Sequence, residues 1–180
     1  MNLEKLIKFV KPYYNNKDIM HNMWHIKMIK NEIDRILKIG NFDINYEDLI
    51  YAMYFHGFIY SDESKIREFL NNSNVDKKRI ERIVKISYES QRCEVPETLE
   101  GKILHDAHVL EGGKNYLIVK TLITGSLRGQ TLEQTLEYMK NNVLNKNKCY
   151  LEETIPLCES MNEYTNKFYS DLINGISDIK

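Results

Sequence analysis

Glycine and proline are scarce, eight and three in 180 residues. That leaves few of the turn residues on which a many-stranded fold depends. No apolar run approaches the ~20 residues that cross a bilayer. The opening Met1-Asn2-Leu3-Glu4-Lys5-Leu6-Ile7-Lys8 interleaves charges with aliphatics and has no signal-peptide core. No excess of positive charge exists either. A net charge of −1 gives nucleic acid or an anionic membrane no bulk electrostatic hold. Cysteine is limited to Cys93, Cys149 and Cys158, with no CxxC pair and one thiol left over. The expectation is reduced thiols in the cytoplasm, with Cys158 packed on an apolar helical stripe. A glycine-rich phosphate loop and a GxSxG elbow are both missing, which removes P-loop and serine-hydrolase readings.

What is present is helical periodicity. Leu3, Leu6, Ile7 and Val10 predict a short helix stopped near Pro12. Ile26, Ile29, Ile33 and Ile36 predict a second, ending at Gly40 as a C-cap. Leu49, Met53 and His56 continue a third from about Tyr46 to Gly57, and Ile66, Phe69 and Leu70 mark a fourth. Asp76 is the expected N-cap of a fifth, and Pro96 precedes a sixth carrying Leu99, Ile103, Asp106 and Leu110. Tyr116 to Ile123, Leu132 to Val143, and a long stripe from Cys158 to Leu172 complete the series. The Lys77-Lys78-Arg79 run reads as a solvated helix face. With no repeat or low-complexity linker, the expectation is one all-α domain over residues 1–180.

All five histidines fall in three clusters: His21-Asn22-Met23-Trp24-His25, Phe55-His56-Gly57 and His105-Asp106-Ala107-His108. Histidine is the commonest metal ligand, so this confinement points to one chemical centre. Asp106 takes a position where its helix pattern calls for an aliphatic. A carboxylate in a core is costly unless paired or metal-bound. Two helical histidines with that aspartate would make a 2-His-1-carboxylate site. The bland alternatives are a satisfied core histidine at position 56 and a surface pair between Asp106 and Lys102 one turn earlier. His21 lies four residues before His25, on one helical face unless Asn22 caps the helix between them. His105 and His108 flank Asp106 as outer-shell or solvent residues.

These three clusters, with Ile86-Ser87-Tyr88 and Thr98-Leu99-Glu100-Gly101-Lys102 in order between them, resemble the HD-domain metal phosphohydrolases. The likeness is greatest to small stand-alone bacterial HD hydrolases that act on nucleotides. The resemblance implies a helical bundle holding a metal between helices, with His25, His56 and Asp106 as the retained outer ligands. It implies a divalent ion, Mn, Mg, Co or Fe, and a small-molecule substrate, a nucleotide being the class suggested. His21 or His108 would be a fourth ligand or proton shuttle.

Departures from the family pattern are equally specific. Gly57 stands at the aspartate of the HD dyad, Asn22 and Met28 at an aspartate and an arginine, Tyr60 and Asp62 at an aspartate and a lysine. His108 replaces the second aspartate of the DAD segment, and Glu111 a later one. The leading expectation is hydrolysis of a phosphate ester or anhydride at an altered mononuclear site. An HD-fold iron oxygenase and a non-catalytic degenerate domain binding a nucleotide or protein are the alternatives. If the helix simply continued through Gly57, restoring aspartate there would be expected to strengthen metal binding.

Overall fold

A computed structural model describes residues 1–177. Among these residues it is all-α: nine helices, a single 3-10 turn and no strand. Two compact units divide the chain, Met1–His108 and Val109–Lys180. No helix is long and apolar enough to cross a membrane among the described residues.

The first unit contains α1 (Leu3–Asn15), α2 (Met23–Ile39), α3 (Tyr46–Phe55), α4 (Ile59–Asn71), α5 (Lys77–Glu89) and α6 (Leu99–Leu110) as far as His108. Helix α3 is its axis. Residues 48–53 and Phe55 are all buried, as expected of a helix surrounded by others, and α1, α2 and α5 pack against it. The predicted stripe of α2 is borne out, since Ile26, Ile29, Ile33 and Ile36 are all buried. Burying one such side chain contributes roughly 1.5–3 kcal/mol, so the stripe fixes which face of α2 turns inward.

Side-chain caps begin these helices. Asn22 Oδ1 accepts from Trp24 N at 2.8 Å, Asn45 Oδ1 from Asp48 N at 3.1 Å, and Asp76 Oδ1 from Arg79 N at 3.0 Å. Asn22 therefore starts α2, and His21 precedes the helix rather than sharing its face with His25.

Several boundaries differ from the sequence expectation. Helix α1 runs through Pro12 to Asn15. Proline removes one hydrogen bond there, but the helix buries Val10 before it and Tyr14 after it. Gly40 does cap α2, yet at φ −124° and ψ 162° it is extended, so its freedom to go left-handed is unused. The third helix stops at Phe55, and His56–Phe58 form the 3-10 turn. Helix α4 begins early at Ile59 and kinks at Asp62. Arg79 is also more than a solvated residue: it donates to buried Asp48 at 2.6 Å and to Glu47 at 2.7 Å.

The Thr98-Leu99-Glu100-Gly101 segment turns out to be a clamp on the start of α6. Thr98 Oγ1 accepts from Gly101 N at 2.9 Å. Buried Glu100 accepts from Asn45 N at 2.8 Å and from Arg82, tying α6 to the start of α3 and the middle of α5. Glu89, at the end of α5, accepts from the N–H groups of Glu97 and Thr98 and from the Thr98 hydroxyl. A carboxylate at a helix N-terminus satisfies exposed amides and complements the helix dipole.

In the second unit α7 (Gly113–Leu127), α8 (Leu132–Asn142) and α9 (Ile155–Ser177) follow, with α7 packed on both others. Gly112 precedes α7 in the left-handed region at φ 65°, and Thr131 with Gln134 forms a capping box for α8. Cys149 and Cys158 join Leu110 and Met161 in a core cluster, while Ile118, Met139 and Val143 form another. Cys93 is exposed, whereas Cys149 and Cys158 are buried, so the packing role expected of Cys158 is met.

Candidate metal centre

Three imidazoles meet inside the first unit. His25 comes from the first turn of α2, His56 from the 3-10 turn after α3, and His108 from the last turn of α6. Each offers a ring nitrogen, and the three nitrogens lie within 4.8 Å of one another. His25 Nε2 and His56 Nε2 are 3.4 Å apart. Two nitrogens sharing a tetrahedral ion at about 2.1 Å stand about 3.4 Å apart, so this pair already has ligand spacing. The rings of His56 and His108 approach to 4.3 Å between centroids, and those of His25 and His108 to 5.4 Å. His25 and His56 are buried, and His108 is half-buried.

Of the residues singled out in the sequence, the structure brings His25 and His56 together and adds His108 as the third member. Asp106 is not one of the three. Its side chain is fully buried, with Oδ1 3.3 Å from Nδ1 of the adjacent, buried His105. With Asp106 completely buried, it is not the surface residue that a cheap exposed pair with Lys102 requires. The sequence stripe correctly marked position 106 as inward, but α6 has more than one inward face: Ile103, Leu104, His105, Asp106 and Ala107 are all buried.

His21 stands next to the trio, its ring 6.0 Å from that of His25. Nδ1 of His21 is 2.8 Å from Asp18 Oδ1 and 2.9 Å from Oδ2. Partial burial alone would raise the Asp18 pKa, but hydrogen bonds from the His21 ring and from Met20 N–H outweigh it and hold the carboxyl below its ordinary value. An ionised Asp18 makes Nδ1 of His21 the donor.

Gly57 is explained by what stands opposite it. A Cβ built at this position lies 2.7 Å from Tyr14 Cε1 and from Tyr14 Oη. The Tyr14 hydroxyl donates to Tyr54 C=O at 2.9 Å and accepts from Gly57 N–H at 3.1 Å. Burial pushes the phenol pKa well above its usual value, so it remains a donor. Tyr14 thus fills the space a side chain at 57 would need, and the chain leaves its α-helix one residue before Gly57. The expectation that aspartate fits there is overturned on both counts.

Three neighbours escaped the sequence reading. Lys17 donates to Gly57 C=O and lies 5.5 Å above the Tyr14 ring, and burial lowers its pKa. Ser90, fully buried, places Oγ 2.9 Å from His56 Nδ1 and its carbonyl oxygen 3.2 Å from His108 Nδ1. Gln91 donates to His56 C=O at 2.8 Å. Asp18 and Lys17 had a local signal, since both lie within four residues of His21. Ser90 had none: its partners are 34 and 18 residues away.

No family model and no curated protein matches the chain. The crystal structure of the Lin1889 protein from Listeria innocua is similar, with a TM-score of 0.71 and 17% identity over 98% of each chain. At that identity the likeness concerns the fold.

Proposed function

We propose that this chain is a metal-dependent hydrolase of a phosphate ester or anhydride, of the HD type, with nucleotides as the leading substrate class. The observation that supports it is the convergence of His25, His56 and His108 within 4.8 Å. Three neutral imidazoles suit zinc, iron or nickel better than magnesium or manganese, which favour oxygen ligands. Three histidines also leave a coordination position open, as catalytic sites require. An iron oxygenase, which would use a 2-His-1-carboxylate set, is the second reading.

A bound ion would supply Lewis acidity to the phosphoryl oxygen and acidify a water. The rest falls to side chains. His25, His56 and His108 would hold the ion. His21, its Nδ1–H anchored on Asp18, takes a proton at Nε2 from the attacking water and returns it to the leaving oxygen. Lys17, the ammonium beside Gly57, offers a cation to the phosphate in place of those lost at Met28 and Asp62. Tyr14 closes the wall where a carboxylate would recruit a second ion, so one metal is expected rather than two.

Elemental analysis of protein purified without chelator, followed by metal titration and phosphate release from several nucleotides and esters, tests the proposal. Stoichiometric metal and metal-dependent release are expected. Absence of stoichiometric metal would move the non-catalytic reading ahead, and bound iron with oxygen-dependent turnover the oxygenase. His56→Ala should abolish high-affinity uptake and leave far-UV circular dichroism largely intact. Unchanged metal content in that variant would make His56 an ordinary core histidine. His21→Gln should keep the metal and lose about a hundredfold in hydrolysis, the usual worth of a positioned proton carrier. Equal turnover in that variant would exclude His21 from proton transfer.

A further inference from the structure

We propose that Ser90 is the positioning residue that fixes His56 and His108 as Nδ1–H tautomers, so that both present Nε2 as a ligand before any ion binds. A neutral imidazole carries its proton on one nitrogen, and only the other can ligate. Which nitrogen is bare is set by the partner of its opposite number. Here one residue decides that for two rings.

For His108 the logic is direct. Its Nδ1 faces the carbonyl oxygen of Ser90 at 3.2 Å, and a carbonyl only accepts, so Nδ1 must carry the proton. That carbonyl is available because Ser90 is the C-cap of α5, and the last carbonyls of a helix lack partners within it. For His56 the logic runs through a committed hydroxyl. Ser90 Oγ–H donates to Ser87 C=O at 2.6 Å. Its single proton is thereby used, and the same oxygen, 2.9 Å from His56 Nδ1, accepts. His56 Nδ1 is therefore protonated and Nε2 bare, 3.4 Å from His25 Nε2.

Gln91 makes the assignment sharp. Its amide nitrogen lies 2.8 Å from His56 C=O and 3.2 Å from Ser90 Oγ, the acceptors for its two protons, and also 3.2 Å from His56 Nδ1. The carbonyl contact identifies that atom as the NH2 donor. If Ser90 lost its hydroxyl, the Gln91 amide that follows α5 would still face His56 Nδ1 at 3.2 Å, as a donor. The ring would then move its proton to Nε2 and present the wrong nitrogen to an ion. Ser90→Ala should thus switch one ring and spare the other, since the backbone carbonyl that holds His108 survives.

Long-range ¹H–¹⁵N spectra of histidine-labelled, metal-free protein, recorded above the histidine titration range, read both tautomers directly. Nδ1–H is expected for His56 and His108 in the wild type. In Ser90→Ala His56 should shift to Nε2–H, with His108 unchanged. Ser90→Thr, which keeps the hydroxyl, should keep the wild-type pattern and serves if the alanine variant folds poorly. Calorimetric Zn²⁺ titration should show about a 10–100-fold loss of affinity in Ser90→Ala, the usual effect of removing a ligand's outer hydrogen bond. An Nε2–H His56 in the wild type, or an unshifted His56 in Ser90→Ala, would overturn the proposal. The affinity measurement rests on the metal reading, whereas the spectra do not. A wild type that takes up no Zn²⁺ but shows the expected spectra would sink the hydrolase and keep the role of Ser90.

Discussion

Gly57→Asp is expected to destabilise the protein and to leave metal affinity no higher. The new Cβ would lie 2.7 Å from two atoms of the Tyr14 side chain, well inside van der Waals contact. Tyr14 cannot swing aside cheaply. It is fully buried, stacks edge-on to Phe58 at 6.0 Å and uses its hydroxyl in two hydrogen bonds. Overpacking a core costs typically 1–3 kcal/mol, and stranding a buried hydroxyl or amide about as much again. A loss of about 2–4 kcal/mol follows, read as an earlier denaturant midpoint at unchanged slope. The pairing can be tested by a cycle with Tyr14→Ala. The double variant should be more stable than the two single effects added together, by roughly 0.5–3 kcal/mol. Additive effects would show that Tyr14 is not what excludes a side chain at 57. If Tyr14→Ala/Gly57→Asp also gained metal affinity, the site would be one carboxylate short and otherwise complete.

Gly101→Ala is the second large effect, and its sign is diagnostic. Inside a helix, alanine ordinarily stabilises over glycine by about 1 kcal/mol. At position 101 the added Cβ would stand 1.8 Å from Glu89 Oε2 and 2.8 Å from Thr98 Oγ1. The Glu89 carboxylate would have to leave the start of α6, freeing the N–H groups of Glu97 and Thr98 and burying a charge with fewer donors. Breaking such a buried network costs about 2–4 kcal/mol, or roughly 4–15 °C in melting temperature for a chain of this size. A neutral or stabilising substitution would mean that Glu89 does not hold α6. Because α6 carries His108 at its far end, metal affinity in Gly101→Ala should fall together with stability. His56→Ala, in contrast, should separate them.

The helices themselves were legible because their causes are local. Isoleucines at 26, 29, 33 and 36 select a helix and its inward face, and Asp76 and Gly40 stand at the ends they mark. Cys158 on its stripe announced a core position, and the spacing of the histidines announced a shared centre. Those signals act within one or two turns, the range over which side-chain period and capping work.

Membership of the centre was a different matter. His108, expected only as a fourth ligand or proton shuttle, joins His25 and His56 within 4.8 Å, and because α6 is buried over several faces, periodicity cannot rank its inward positions. Gly57 read as a missing ligand, yet a tyrosine 43 residues earlier occupies its space. Gly101 read as part of a family signature, yet it exists to let the Glu89 carboxylate pass. Ser90 left no trace in the pattern, although it touches two rings from one buried position. The sequence by itself determined where helices form and that its histidines are confined to three short clusters, since propensity and periodicity are properties of neighbours along the chain. Which nitrogens face one another, which side chain fills the gap beside His56 and which carbonyl sets a tautomer are contacts between segments 18 to 43 residues apart. Only close packing of the helices decides them, because each depends on shifts of an ångström that no local rule resolves.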